Sequence, residues 1–227
     1  MPSRRKTTMF ASAFLTCACS FVTVCVVLAS QHWVSSDVRF IGTNSSTTVS
    51  LTYGLFSGTC EQFVDAGLQV SESSFQVADN LKSTKAKSMI IAIIVILVLS
   101  LLSSLLSSGF TCTNAVSNPY QTFLGPIGVY TWNSLCGILT LLALILFPVN
   151  IEANNLSVEL ARGCFPFLQT HTESAHAYGY SYWLMLLIIF QNVASIFIIY
   201  LYDHARYSKK KEQQRPIENA PKDVILF

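Results

Sequence analysis

Histidine, glutamate and cysteine are the side chains of this sequence best suited to chemistry. His171, Glu173 and His176 lie close enough to be read as metal ligands. A helical metal site sets its ligands three or four residues apart so that they share a face. Here the two histidines are five apart with no further ligand nearby, so a solvated loop is the better reading. The sequence has no glycine-rich phosphate cradle and no carboxylate pair set for acid–base work. It implies no metal, no cofactor and no enzyme.

The seven cysteines sort by their surroundings. Cys17, Cys19, Cys25 and Cys136 fall inside long apolar runs, where a thiol behaves as a small buried residue. Cys112 stands at the end of such a run, a position suited to palmitoylation and equally to a plain reduced thiol. Cys60 and Cys164 lie in two polar connections. They either bridge those connections or remain two free thiols, and spacing alone does not decide between them.

The elements that must position these residues are set by an uneven charge distribution. Of 227 residues, 52% are hydrophobic and only 11% charged, against about 25% charged in a typical globular protein. No charge occurs in residues 7–36, 88–151 or 174–202. The middle gap is 64 residues long, enough for two crossings of about 20 residues each. Four transmembrane helices are expected at 9–29, 88–110, 127–149 and 181–202. The first is preceded by Arg4-Arg5-Lys6, as a signal peptide would be, but its apolar run of about 21 residues exceeds a cleavable core of about 7–15. It reads as a retained helix. Asn118-Pro119 and Gly125-Pro126 mark a turn between the second and third spans, in a connection at 111–126.

Four crossings put both termini on one side. The N-terminal segment 1–8 and the tail 203–227 carry nine Lys and Arg, against five in the two opposite loops at 30–87 and 150–180. That bias favours cytosolic termini, with the plasma membrane as the expected location. The sequons at Asn44 and Asn155 both fall in loops that this orientation places outside, and Asn155, close to a span, is the poorer acceptor. It also places Cys60 and Cys164 in the oxidising compartment. A net charge of +2 without a basic stripe implies no nucleic-acid partner.

The first outer loop has strand character. Val38 and Phe40 alternate with Asp37 and Arg39, and Val49, Leu51 and Tyr53 with Ser50 and Thr52. Residues 42–46 read as the hairpin connection between them, with Asn44 at its tip. Residues 61–81 read as a helix or a solvated linker. The fold class is an all-α transmembrane four-helix bundle with a small extracellular β-hairpin or sheet in the first outer loop.

Within the bundle, small residues four apart mark contact faces: Ser100, Ser104 and Ser108 with Ser103 and Ser107 beside them, and Ser12, Thr16 and Ser20. They hold the bundle together or support a homo-oligomer. Asn133, Gln191, Asn192 and Ser195 are polar at membrane depth and should face the interior. No span carries a charge, which argues against a substrate path. The tail ends in Val224-Ile225-Leu226-Phe227 after the basic run Lys209-Lys210-Lys211, which suits anionic headgroups. Such an end fits a PDZ domain, with Phe227 in the terminal pocket and Ile225 in the pocket two residues back. The other reading is a loose interfacial anchor.

Trp33 followed by Gly54-Leu55-Phe56 and Cys60 resembles the first loop of the claudin-like tetraspan superfamily. That pattern has a second tryptophan where this chain has Phe56, and a second loop cysteine that it lacks. The clarin family is the fuller resemblance. It is carried by Met1-Pro2-Ser3, Tyr53-Gly54-Leu55-Phe56, Leu105-Leu106-Ser107-Ser108-Gly109-Phe110-Thr111 and Asn118-Pro119-Tyr120-Gln121-Thr122-Phe123-Leu124-Gly125-Pro126. Gly128-Val129-Tyr130-Thr131-Trp132-Asn133 and the terminal Ile225-Leu226-Phe227 extend it over essentially the whole chain. The resemblance implies a non-enzymatic four-helix glycoprotein whose better-known relatives organise hair-cell and photoreceptor membranes. The expected function is a membrane scaffold or adhesion protein whose partners are the bilayer, other membrane proteins and a PDZ adaptor. The alternative is an auxiliary subunit of a channel or carrier.

An epitope tag at either terminus is expected to stain only after permeabilisation. Glycosidase should sharpen the band on a gel, with Asn44→Gln removing most of the shift. Tag staining in intact cells would refute cytosolic termini.

Overall fold

The computed structural model describes residues 4–41, 46–64, 68–116, 125–168 and 170–214. In chain order the elements are α1 (Arg4–Ala29), β1 (Val34–Ile41), β2 (Ser46–Tyr53), β3 (Ser57–Val64), β4 (Leu68–Gln76), α2 (Val77–Asn80), α3 (Thr84–Val116), α4 (Pro126–Ala153), α5 (Leu156–Cys164), β5 (Thr170–Tyr178) and α6 (Tyr180–Gln214). The four uncharged runs become α1, α3, α4 and α6, each long and apolar enough to cross a membrane. The chain is a multi-pass membrane protein. Helix continues past the expected spans wherever no proline or glycine stops it. α3 runs on to Val116, and α6 runs to Gln214, two residues short of Pro216. Pro126 occupies the first turn of α4, where its missing N–H costs nothing.

The four long helices form a ring in which α1 touches α3 and α6, and α4 touches the same two. On α1 the inward row is Phe10, Ala13, Cys17, Ser20, Val24 and Val27, all buried. This corrects the expected row of Ser12, Thr16 and Ser20. Ser12 and Thr16 face outward and return their hydroxyls to the carbonyls of Met9 and Ala13. On α3, Ser100, Ser103, Ser104 and Ser107 are buried, whereas Ser108 is half-buried.

Two polar layers cross the ring, and each joins all four helices. In one, Cys17 Sγ lies 3.1 Å from Ser195 Oγ, 3.4 Å from Ser107 Oγ and 3.4 Å from Asn133 Oδ1. In the other, Asn192 Nδ2 donates to Ser20 Oγ at 3.1 Å and to Cys136 Sγ at 3.4 Å. Ser100 Oγ closes that layer, 3.2 Å from Cys136 Sγ and 2.9 Å from Thr140 Oγ1. In hydrocarbon such groups are stable only when they find each other. Gln191, expected to share this interior, is instead half-buried at its margin.

Pro148 inside α4 cannot donate to the carbonyl of Leu144. The Tyr182 hydroxyl of α6 donates to that carbonyl at 3.2 Å. A helix defect thereby becomes a contact between helices.

The sheet is wider than a hairpin. Its order is β4-β3-β2-β1-β5 with every pair antiparallel. β1 and β2 pair from Val34↔Tyr53 to Ile41↔Ser46, so the expected alternation holds and Val38, Phe40, Val49, Leu51 and Tyr53 are buried. Two expectations are corrected. Most of residues 61–81 is strand, because Cys60, Gln62 and Phe75 can alternate inward against the bundle end. Residues 170–178 are not a solvated loop but strand β5, which pairs with β1 and brings the second connection into the same sheet.

The chain leaving α1 passes to the sheet between two glycines. A Cβ on Gly54 would sit 2.2 Å from the Ser30 carbonyl oxygen, and one on Gly179 would sit 2.3 Å from that of His32. Both obstacles are backbone, so neither can yield cheaply. Gly54→Ala is therefore expected to lower thermal stability in detergent by about 1–3 kcal/mol. Gly109→Ala meets nothing within 4 Å and should leave the melting temperature unchanged or slightly raised. Equal melting of the two variants would refute the clamp.

Candidate functional site

The site is the junction where sheet meets bundle, and Trp33 is its centre. The last carbonyls of α1 have no partner within the helix. Ser30 N–H satisfies Val26 at 3.0 Å, and the Trp33 indole N–H satisfies Val27 at 2.8 Å. The ring itself is fully buried, 4.8 Å from Phe147, which continues the aromatic cluster to Tyr182 and Tyr178. Its backbone bonds to both flanking segments: Trp33 N–H to Tyr53 O at 3.1 Å, and Gly179 N–H to Trp33 O at 2.8 Å. Leu55 is buried beside this turn, and Phe56 is 47% exposed. The motif thus splits into a buried lock (Trp33, Gly54, Leu55) and an outward ring.

Helix α5 braces the junction from the other side. Asn155 bridges α4 to α5 in a left-handed conformation, φ 49°, which asparagine tolerates better than most residues. Leu156, Leu160 and Ala161 of α5 are buried. Glu159 accepts the Ser83 N–H at the start of α3. Asn150 near the end of α4 donates to Ala86 O at 3.2 Å. At the far end of α5, Cys164 is bonded to Cys60 of β3 with their Cα atoms 6.8 Å apart.

Under α5 lies a line of hydroxyls not singled out from the sequence. Tyr53 Oη lies 2.7 Å from Ser157 Oγ, which lies 2.9 Å from Ser36 Oγ, which in turn lies 2.7 Å from His176 Nδ1. Burial pushes the Tyr53 hydroxyl well above the usual phenol range, so it stays protonated and able to donate. Ser36 and Ser157 are each 1% exposed, so neither hydroxyl can reach a substrate carbonyl. The line latches β1, β2, α5 and β5 together. Its signal was present in the alternation, where Ser36 and Tyr53 occupy inward positions of their strands as polar side chains.

The opposite face of the sheet is polar. One row of neighbours runs Ala175, Asp37, Ser50, Glu61 and Glu72 across all five strands. Arg39 and Glu173 sit beside it, 3.7 Å apart and largely exposed, a pairing worth little in water. Among the described residues no group of three or more His, Cys, Asp or Glu side chains is placed to hold a metal.

The remaining candidates scatter. Cys112 is exposed on α3, about eight turns along from the junction at 3.6 residues per turn. Asn155 is exposed, but the serine of its sequon, Ser157, belongs to the buried latch. Asn44, Ile225 and Phe227 lie outside the described residues.

Comparison with known proteins gives the family. The Clarin-2-like family model matches residues 5–199. Clarin-3 of Mus musculus is 47% identical over 227 residues, and Clarin-3 of Homo sapiens 44%, in each case covering all of both chains. Clarin-2 of Homo sapiens is 26% identical over 219 residues, covering 88% of this chain and 89% of that one. Its four apolar helices and the full-length likeness agree: the chain belongs to the clarin family, whose members are membrane proteins not known as enzymes.

Proposed function

We propose that this clarin is a non-enzymatic membrane organiser. It holds a glycosylated sheet platform outside the cell, at the plasma membrane, and keeps both termini in the cytosol. The observation that carries the reading is that one sheet is built from both segments joining the spans on its side, and is fixed to the bundle by the Trp33 junction. Such a platform can present the polar face bearing Asp37, Arg39, Glu61, Glu72 and Glu173 in a constant orientation to a neighbouring protein. The family resemblance supports a sensory-membrane setting. Asn44 is the principal glycan acceptor in this reading. Transfer at Asn155 requires its sequon to be extended, before Ser157 enters the latch.

The Cys60–Cys164 bond supports the platform once the chain reaches an oxidising compartment. A single bridge of this kind contributes about 2–4 kcal/mol. Cys60→Ser, Cys164→Ser and the double variant should lose surface delivery to the same extent, as measured by surface biotinylation, because any one change removes the whole bond. A double variant much worse than either single one would show that the thiols act independently.

On the cytosolic side, Ile225 and Phe227 recruit a PDZ adaptor, and the basic run before them contacts anionic headgroups. Adding one glycine after Phe227 displaces the terminal carboxylate while leaving hydrophobicity almost unchanged. Proximity labelling with the wild-type tail should recover PDZ adaptors that the extended tail loses. Identical partner sets would refute PDZ recognition, and a channel or carrier as dominant stoichiometric partner would replace the organiser reading with that of an auxiliary subunit.

A further inference from the structure

Gln191 is the polar residue of the bundle that the bundle does not use. It lies eleven residues into α6 from Tyr180, about 17 Å along the helix at 1.5 Å per residue, and so near the middle of a hydrocarbon core about 30 Å thick. Its neighbours settle which way it looks. Ile188 and Ser195, on the inward side, are fully buried, while Phe190 is 69% and Val193 57% exposed. Gln191 sits between them, half-buried. Its Oε1 is shielded yet has no hydrogen-bond partner among the described residues.

The groups that could have partnered it at this depth are already engaged. Cys17 with Ser195 and Asn133, and Asn192 with Ser20 and Cys136, take up the nearby donors and acceptors. Lipid tails supply none. An amide left unpaired in hydrocarbon is costly, so the missing partner must come from another helix packed on this margin of α6.

We propose that Gln191 is the centre of a symmetric homodimer interface formed by α6 of two copies of this chain. The occupant follows from the chemistry of the group. A carboxamide carries an acceptor and two donors in one plane, so it is its own complement. A two-fold axis passing between two Gln191 side chains lets each donate to and accept from the other, which is the self-matching geometry of an isologous interface. Phe190 and Val193, otherwise turned to lipid, flank that pair and pack across the axis.

The test uses full-length protein in lipid nanodiscs and in cell membranes. In a background with Cys19, Cys25 and Cys112 replaced by alanine, Gln191→Cys should cross-link to a dimer under mild oxidation. Ile138→Cys, on the 64% exposed lipid face of α4, should not. Separately, Gln191→Leu should lower the dimer fraction by about tenfold in single-molecule photobleaching, the effect expected of one interhelical hydrogen-bonded pair. Gln191→Asn, which keeps the amide, should restore much of it. Leucine at a lipid-facing margin leaves the fold intact, and an unchanged melting temperature checks that. A wild-type protein that stays monomeric overturns the proposal. So does a Gln191→Leu variant that dimerises as wild type, or cross-linking from residue 138 equal to that from residue 191.

Discussion

The structure depends on a constraint four residues long. Between the end of α1 and the start of β1 the backbone of residues 30–33 passes two places where only glycine leaves room, Gly54 on one side and Gly179 on the other. Close approach of this kind costs the packing that a side chain would have given, and it is kept because the passing strand satisfies both neighbours through hydrogen bonds. Trp33 fixes the depth of the passage. Its indole N–H closes the last turn of α1 while its ring fills the space above Phe147. The sheet cannot slide relative to the bundle without exposing that ring and orphaning a helix carbonyl.

The membrane imposes the second condition. A bundle in lipid gains little from burying leucine, since the surroundings are equally apolar. The two polar layers therefore do what a hydrophobic core does in water and select one arrangement of four helices. They contain amides, hydroxyls and thiols and no charge, which keeps the desolvation cost small while still penalising a rotated helix. Tyr182 shows the same economy. Pro148 would leave a carbonyl bare to lipid in an isolated α4, and only the correctly placed α6 covers it.

What the sequence revealed follows from how local each signal is. Spans appear because twenty apolar residues are their own evidence. The β1–β2 hairpin was legible because alternation over Val38, Phe40, Val49, Leu51 and Tyr53 needs no distant partner. β5 was hidden: Thr170–Tyr178 is polar and buries no residue fully, so it is a strand only because β1 offers an edge. The same holds for residues 61–81, whose inward side chains are few. Row assignment on α1 failed for a related reason. Small residues mark close approach, but serine and threonine can also satisfy themselves on their own carbonyls, and Ser12 and Thr16 do so. At the junction, Trp33 and Gly54 were legible only as a family pattern. Their physical reason, a backbone crossing, joins residues far apart in the chain.

The ties between helices are unevenly placed. At the sheet end α1 and α6 are joined through Trp33, Gly179 and the Ser30–Ser181 hydroxyl contact at 2.6 Å. There α3 and α4 are joined through Asn150, and α5 links both to the sheet through Glu159 and the Cys60–Cys164 bond. The opposite end has a small apolar plug of Phe10, Ala13, Ala115, Val129 and Ile199, with the Tyr130 hydroxyl donating to Asp203 at 3.0 Å. A bundle clamped at one end and plugged at the other has a preferred direction of motion. Helices pivot about the junction, and displacement grows with distance from it. The tail of α6 leaves from the end that moves most, so whatever is held there is coupled to helix spacing, while the sheet face keeps its orientation.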